Sequence, residues 1–224
     1  MKKLEIKIDC KIEPLGLRGI YLVCRGLLNS LDQEIIEKDA ILDNVVFQNK
    51  SHVIEDPIIS GFRELHTKIE VSNRKFVSSP ENLILNFINR REFHEINTIV
   101  DLYNLISIKY KLAIGAHDMS NIDGDVNLRM TIGNERFVPL GQTEPKSVRE
   151  NIYSYIDDSN EIICLLEVRQ VEKTKVTEKT KDCFFIVQGN SSTSIEYIRT
   201  ATSELISLLN KYCGGNTEIL KEVF

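Results

Sequence analysis

Hydrophobic and polar residues recur with the period of a helix between Ile96 and Asp118, the best-defined stretch of the chain. Its apolar positions follow three- and four-residue steps, which indicates one buried helix face; they are Ile99, Leu102, Leu105, Ile106 and Ile108. A second stripe contains the poor helix formers Asn97, Asp101, Asn104 and Ser107. Such a stripe indicates that these side chains either hold neighbouring backbone or line a pocket. The end of the stretch predicts a short strand and a tight turn.

Two strands and a helix are predicted before this stretch. Alternating residues predict strands at 4–10 and 19–25, and helical spacing predicts a helix from 30 to about 48. Ser30 or Asp32 is placed near the N-terminus of that helix, because short polar side chains cap helices.

Two further helix starts are marked by a short polar residue followed by proline. Asp56-Pro57 and Ser79-Pro80 both have this pattern. Arg90 lies in the last turn of the second helix, where the helix dipole favours positive charge. The region before the central stretch is therefore mostly helical.

The character changes to strands after Asp118. The predicted strands are 126–132, 135–141, 151–156, 161–169 and 183–189. Gly133-Asn134 is typical of a hairpin turn, so the first two strands are expected to pair with each other. Residues 157–160 are expected to join the next two.

A final helix is predicted over 193–212, because its apolar residues lie on one face. Cys213-Gly214-Gly215 ends it, as glycine commonly does after a helix. The last nine residues are expected to be loosely held. Helices first, strands second and a closing helix predict an α+β fold, with a mostly antiparallel central sheet flanked by helices.

Composition agrees with one folded domain. The chain has 224 residues, of which 42% are hydrophobic and 27% charged, as in an average globular protein. No apolar run approaches the roughly 20 residues that a membrane span needs. Glu5, Lys7 and Asp9 interrupt what would be the apolar part of a signal peptide, so a cytoplasmic location without membrane contact is expected.

The net charge of −5 provides no overall attraction for nucleic acid. One local candidate is the basic run 169–181, which contains Arg169, Lys173, Lys175, Lys179 and Lys181. The run is equally typical of a solvated hairpin edge, where lysines prevent aggregation.

Catalytic and metal-binding motifs are not found in the sequence, so neither a cofactor nor a metal is predicted. The five cysteines are widely spaced, and four of them lie in apolar surroundings, where cysteine behaves as a small hydrophobe. His117-Asp118 is the one histidine beside an acid, but neighbours on a strand point to opposite faces. A working His–Asp pair is therefore not expected.

Several segments resemble a known family. They are GFRELHTKI, SSPENLILNFINR, INTIVDLYNLISIKYKLAIGAHDM, GDVNLRMTIGNERFVPLG, EIICLLEVRQ and TKVTEKTKD. From Gly61 to Gly189 the chain resembles the B-three/B-four domain of the phenylalanyl-tRNA synthetase beta subunit, and most closely its free-standing form. The resemblance implies an α+β core at 61–224 and an N-terminal extension at 1–60 packed on it. It implies no ATP site, so tRNA ligation is not expected.

In the synthetase this domain is the editing site, which hydrolyses the ester joining tyrosine to the tRNA end. The family's pocket motif has Thr-Asn, then Pro and His. In this sequence Asn104 matches the Asn, while Tyr103, Ala113 and Gly115 stand where Thr, Pro and His would be. A residue near Ile186 stands where the family has a glutamate for the tyrosine hydroxyl. The resemblance thus implies a pocket in the same place with different contents.

Arg169 and Gln170 stand where the synthetase pattern has Gly-Gly. Arginine can bind a carboxylate or phosphate with two hydrogen bonds, so Arg169 is a candidate ligand contact. The candidate substrate-binding residues are Asp101, Tyr103, Asn104, Gly115, Asp118, Arg129 and Arg169, and the candidate RNA-binding residues are Lys173, Lys175 and Lys179. Asp101, Asn104 and Arg129 are suited to hydrolysis if they converge on one cavity. Alternatively, Asp101 and Asn104 tie the helix to its neighbours and Asp118 caps a turn.

Two functions follow as hypotheses. The first is a free-standing editing protein that hydrolyses mischarged aminoacyl-tRNA in trans, with charged tRNA as its partner. The second is a non-catalytic module that binds tRNA or an amino-acid-like small ligand.

Overall fold

The computed structural model describes residues 3–31 and 33–224, and over these ranges the chain forms six α-helices and nine β-strands. The helices are α1 (Lys38–Asp43), α2 (Lys50–Glu55), α3 (Pro57–Lys68), α4 (Ser79–Arg90), α5 (Thr98–Tyr110) and α6 (Ile195–Tyr212). The strands are β1 (Ile6–Ile8), β2 (Arg18–Arg25), β3 (Ala113–Asp118), β4 (Val126–Met130), β5 (Tyr153–Asp157), β6 (Ile162–Leu165), β7 (Arg169–Gln170), β8 (Cys183–Gly189) and β9 (Asn216–Val223).

The strands form two sheets. The four-stranded sheet has the order β3-β8-β2-β9 and is antiparallel throughout. The five-stranded sheet has the order β1-β4-β5-β6-β7, and its one parallel pair joins β1 to β4. The predicted α+β class with mostly antiparallel strands flanked by helices is confirmed. Both β1 and β2 lie within residues 1–60, and both pair with strands from the rest of the chain.

Strand β2 is buried on both faces, because each face contributes to a different hydrophobic core. Ile20 and Leu22 pack with the helices, in a core that includes α5 and α6. Tyr21 and Val23 belong to the second core, which includes residues of the five-stranded sheet. A strand buried on both faces has a continuous apolar sequence instead of an alternating one. This explains the run GIYLVCR.

The helix starts marked by proline are confirmed. The carboxylate of Asp56 accepts hydrogen bonds from the N–H groups of Ile58 (3.0 Å) and Ile59 (3.4 Å), with Pro57 in the first turn. Helix α4 likewise has proline in its first turn and ends at Arg90. Four of the five cysteines are buried, as expected, and Cys10 is exposed.

The predicted hairpin between 126–132 and 135–141 is wrong. Strand β4 has β1 on one side and β5 on the other, so neither edge is left for 135–141. The carboxylate of Glu135 instead closes the turn locally, accepting hydrogen bonds from the N–H groups of Ile132 (2.8 Å) and Gly133 (3.0 Å). Beyond it the chain makes only isolated bridges to the β6 and β7 region.

The predicted helix over 30–48 is mostly wrong, since only Lys38–Asp43 is helical. Ser30 does not cap it; its carbonyl accepts hydrogen bonds from the backbone N–H and the hydroxyl of Thr98, both at 2.9 Å. Asp32, the other candidate cap, lies outside the described residues. This segment therefore fastens the start of α5.

The last nine residues are not loose, because eight of them form β9 on the outer edge of β2. Gly214 and Gly215 both have positive φ, which glycine adopts without strain. A Cβ on Gly215 would lie 2.6 Å from the carbonyl oxygen of Arg25, so the chain reverses there in contact with β2. In the described part of the chain, no helix is long and apolar enough to cross a membrane.

Candidate functional site

A cavity of about 520 Å³ lies where the edges of the two sheets come together. Strand β3 is the edge of the four-stranded sheet, and β7 is the edge of the five-stranded sheet. Both line the cavity, together with the first turns of α4 and the middle of α5. A cavity of this size is in the range of small-ligand sites.

The polar stripe of α5 performs both tasks that its sequence suggests. Asn97 caps the helix, accepting a hydrogen bond at 3.1 Å from the N–H three residues on. Asp101 accepts one at 2.8 Å from the N–H five residues before it, and the Ser107 hydroxyl donates one at 2.7 Å to the carbonyl of Leu112. Asn104 instead lines the cavity, half-buried, and its side chain makes no hydrogen bond to the described residues.

Gly115 and Gln170 meet across the cavity. A Cβ on Gly115 would lie 2.8 Å from Nε2 of Gln170. The Gln170 amide also lies beside the Tyr103 hydroxyl, whose pKa is raised by burial. The side chain of Gln170 therefore joins the edge of the five-stranded sheet to helix α5 directly over the glycine.

The inner wall of the cavity has a buried polar network. Glu167 lies 2.8 Å from Nε2 of His66, an ion pair too bent for a good hydrogen bond, and it also accepts from the Tyr153 hydroxyl. Burial lowers the pKa of His66, but the neighbouring carboxylate outweighs this and leaves the pKa raised. The side-chain oxygen of Gln188 accepts a hydrogen bond from the Tyr155 hydroxyl (2.7 Å). Its Nε2 donates a longer one to the Tyr153 hydroxyl (3.3 Å).

The mouth of the cavity is positively charged. Arg169 is exposed, with its guanidinium 4.9 Å from the ring centroid of Phe76 and a 3.3 Å hydrogen bond to the carbonyl of Lys75. The Lys75 side chain is exposed at the same rim. Two cations at the opening favour a ligand with an anionic part outside the cavity.

Four of the seven predicted substrate-binding residues line the cavity: Tyr103, Asn104, Gly115 and Arg169. The other three lie elsewhere, so Asp101, Asn104 and Arg129 do not converge. Asp118 caps a turn, accepting from the N–H of Ser120 (2.9 Å) and the Thr180 hydroxyl (2.7 Å).

Arg129 and Asp101 have structural partners instead. Arg129 forms a 2.7 Å ion pair with buried Glu135 and a 2.7 Å hydrogen bond to Asn160. Burial raises the pKa of Asp101 to about 6, outside the cavity at the start of α5.

The basic residues of the run 169–181 do not form one patch, because they have different neighbours. Lys173 pairs with Asp123 (2.7 Å), Glu161 (3.0 Å) and Asp157 (3.2 Å), so its charge is offset locally. Lys175 pairs with Glu172. Lys179 lines a separate depression that also contains Arg25 and Lys181.

Sequence reasoning missed His117, Glu167 and Gln188, all of which line the cavity. For His117 a signal was available. It lies two residues after Gly115 in a strand, so the two point to the same face. For Glu167 and Gln188 the apolar runs around them carry no such signal.

The fold and the cavity define an α+β domain with a polar pocket between two sheet edges. The family model of the B3/4 domain matches residues 66–214, so the chain belongs to the B3/4 domain family. The resemblance inferred from sequence is confirmed. The phenylalanine–tRNA ligase beta subunit of Pyrobaculum aerophilum is 29% identical over 130 residues, covering 50% of this chain and 25% of that protein.

A second relative and a solved structure have similar sequence or fold to this chain. The phenylalanine–tRNA ligase beta subunit of Saccharolobus solfataricus is 27% identical over 158 residues, covering 56% of this chain and 28% of that protein. An N-terminal fragment of the phenylalanyl-tRNA synthetase beta-subunit from Pyrococcus horikoshii has a TM-score of 0.51 at 17% identity. It covers 97% of this chain and 51% of that fragment, which supports the fold. The chain thus spans about a quarter of the curated relatives.

Proposed function

We propose that this domain binds the aminoacyl end of a tRNA in the cavity beside β3 and hydrolyses the ester of a mischarged species. The relatives named above are beta subunits of tRNA ligases, which supports tRNA as the partner. The observation that carries the proposal is Asn104, which matches the family motif and presents an unengaged amide to the cavity.

The chemistry of the cavity suits hydrolysis without a covalent intermediate. Cys164 is the thiol in its lining, but burial raises the pKa of that thiol and its S–H donates to the carbonyl of Leu166 (3.2 Å). It therefore remains a thiol, which is a weak nucleophile. Aminoacyl esters are reactive, so a positioned water and stabilised charge suffice. The Asn104 amide is suited to hold either the water or the ester.

The charges around the cavity support one orientation of the ligand, with the amino acid inside and the tRNA phosphates outside. Arg169 and Lys75 line the cavity and are exposed, so they would meet phosphates of the tRNA end while the amino acid enters the cavity. Because the chain is acidic overall, this local positive charge would provide the attraction for RNA.

A deacylation screen tests the proposal. The protein would be incubated in trans with correctly and incorrectly charged tRNAs, beside Asn104→Ala and the control Asn86→Ala, an exposed α4 residue outside the cavity lining. We expect one mischarged tRNA to lose its amino acid, and Asn104→Ala to lower that rate constant by about 10- to 100-fold. Decay of every ester at the buffer rate would contradict hydrolysis.

Binding without turnover is the second candidate function, and one observation favours it. Gln170 fills the space over Gly115, where the family motif has its histidine. If the screen detects no hydrolysis, binding of the same tRNAs is measured by filter retention. Tight binding that Asn104→Ala weakens and Asn86→Ala preserves would establish the binding module.

A further inference from the structure

Among the described residues, five buried side-chain atoms make no hydrogen bond. Two of them, on His66 and Glu167, face each other as the 2.8 Å ion pair. The remaining three are the hydroxyls of Ser78 and Ser154 and Nε2 of His117. Of these last three residues only His117 lines the cavity, which Glu167 of the ion pair also lines. A buried polar atom without a partner is costly, and this one lies at a site that a ligand can enter.

The surroundings of His117 determine which ring nitrogen carries the proton. Nδ1 lies 2.8 Å from the hydroxyl oxygen of Thr174. That hydroxyl is buried and has no other hydrogen-bond partner in the described chain. Donation from Nδ1–H to Thr174 would leave the hydrogen of this buried hydroxyl without an acceptor, which favours the opposite direction, from the Thr174 hydroxyl to Nδ1. The neutral ring then carries its own hydrogen on Nε2.

The ring is neutral at physiological pH. It is 1% exposed and packs near Phe184, with ring centroids 6.5 Å apart. Burial lowers the pKa of His117 to about 3. Nε2 is consequently a neutral N–H donor, which matches a carbonyl or carboxylate oxygen and does not match an ammonium group.

Other polar groups of the inner wall are already engaged. The Tyr155 hydroxyl donates to Gln188, and the Cys164 thiol donates to the carbonyl of Leu166. Neither can turn toward a ligand without giving up its present partner. Nε2 of His117 has no hydrogen-bond partner to give up in the described chain.

We propose that the Nε2–H of His117 donates a hydrogen bond to the carbonyl oxygen of the aminoacyl ester bound in the cavity. This inference rests on the proposed function, and it names the group that receives the ester. It makes His117 an oxyanion donor, because the hydrogen bond strengthens as that oxygen becomes negative.

The step balances without a cofactor. The oxygen of water bonds to the carbonyl carbon, and the C=O π pair moves to the oxygen held by His117. When the C=O bond re-forms, the bond from carbon to the ribose oxygen breaks. The proton lost by the water reaches the ribose oxygen through solvent, giving free amino acid and tRNA. His117 gains and loses no proton.

The position of the proton is tested directly by NMR on the full chain with ¹⁵N-labelled histidine. Long-range ¹H–¹⁵N spectra distinguish the two neutral tautomers, and His117→Phe assigns the signals. We expect the His117 proton on Nε2. A proton on Nδ1 would overturn the inference whatever the protein binds.

The contact is tested by adding stable amide analogues of the aminoacyl end, a panel of 3′-aminoacylamino-3′-deoxyadenosines. We expect one analogue to bind and to shift the Nε2 and Hε2 signals of His117. Binding that leaves these signals unmoved would overturn the inference alone. Failure of every analogue to bind would overturn the proposed function, and this inference with it.

Kinetics provide a third readout. His117→Phe keeps an aromatic ring, slightly larger than imidazole, and removes the donor, so the single-turnover deacylation rate constant should fall about 100-fold with little change in the protein concentration that gives half the maximal rate. His117→Gln keeps an N–H at similar reach. Its rate constant should be at least tenfold higher than that of His117→Phe. Equal rate constants for folded His117→Phe and His117→Gln, checked by thermal unfolding, would overturn the inference.

Discussion

The side-chain amide of Gln170 occupies the space that a side chain at Gly115 would need, with Nε2 2.8 Å from the position of the missing Cβ. In the family pattern that this chain resembles, the glycine position carries histidine and the glutamine position carries glycine. This chain thus carries the large side chain on β7 and the glycine on the facing strand β3.

This relationship predicts strong coupling between the two positions. Gly115→His alone should destabilise the protein by about 1–3 kcal/mol, because the new ring must displace the Gln170 amide. Adding Gln170→Gly should recover most of that loss. Urea unfolding of the two single variants and the double variant measures the coupling. Additive free energies of unfolding would show that the two side chains do not compete for one space.

A pH-dependent gain in stability is predicted for Asp101→Asn. The pKa of Asp101 in the folded protein is about 6, above the ordinary value of 3.8. Its contribution to the free energy of unfolding is therefore fully present below pH 3.8 and is lost as pH rises through 6. Asparagine keeps the acceptor for the Ile96 N–H without the buried charge. The variant should be more stable by roughly 1–3 kcal/mol at pH 7.

Urea unfolding between pH 4 and 7.5 measures this gain. The stability difference between Asp101→Asn and wild type should grow from near zero at pH 4 and level off above pH 6.5. A difference that is constant with pH would mean that Asp101 is not destabilised by burial.

Loss of Lys173 is predicted to cost stability. Its ammonium contacts three carboxylates, including that of Asp157, whose side chain is fully buried. Lys173→Met leaves that carboxylate without its cation and should lower the free energy of unfolding by about 1–3 kcal/mol. The control Lys175→Met removes only a surface pair with Glu172 and should change stability by less than about 1 kcal/mol. Equal effects in both variants would contradict a structural role for Lys173.

Arg169→Ala is predicted to weaken tRNA binding in a salt-dependent way. If the guanidinium contacts one phosphate, its loss should reduce the slope of log K against log salt concentration by about 1. Arg90→Ala, an exposed cation at the far end of α4, is the matched control and should leave the slope unchanged. An unchanged slope for Arg169→Ala would place the phosphate contacts elsewhere.

Features encoded by neighbouring residues were predictable from the sequence. The Asp56-Pro57 start depends on a side chain two residues from the N–H it caps, and the helix-to-strand passage from α5 to β3 depends on local periodicity. Strand partners were not predictable in the same way. One neighbour of β4 is β1, more than a hundred residues earlier, and the neighbour of β9 is β2.

The site was partly predictable for the same reason. Asn104 and Gly115 were located by family resemblance, and the structure places both at the cavity. Arg129 lies outside the cavity, because its partners, Glu135 and Asn160, are set by a turn and by the neighbouring strands. His117 was dismissed because only its sequence neighbour Asp118 was considered, whereas its partner Thr174 lies in a distant loop.

A crystal structure with a bound 3′-aminoacylamino-3′-deoxyadenosine would show whether this cavity receives the aminoacyl end of tRNA. We expect density for the aminoacyl group between β3 and β7. Its carbonyl oxygen should lie within hydrogen-bond distance of His117 Nε2, with the Asn104 amide also in contact and the adenosine toward Arg169. Density for the analogue outside this cavity, with the cavity itself unoccupied, would contradict binding of the aminoacyl end at this site.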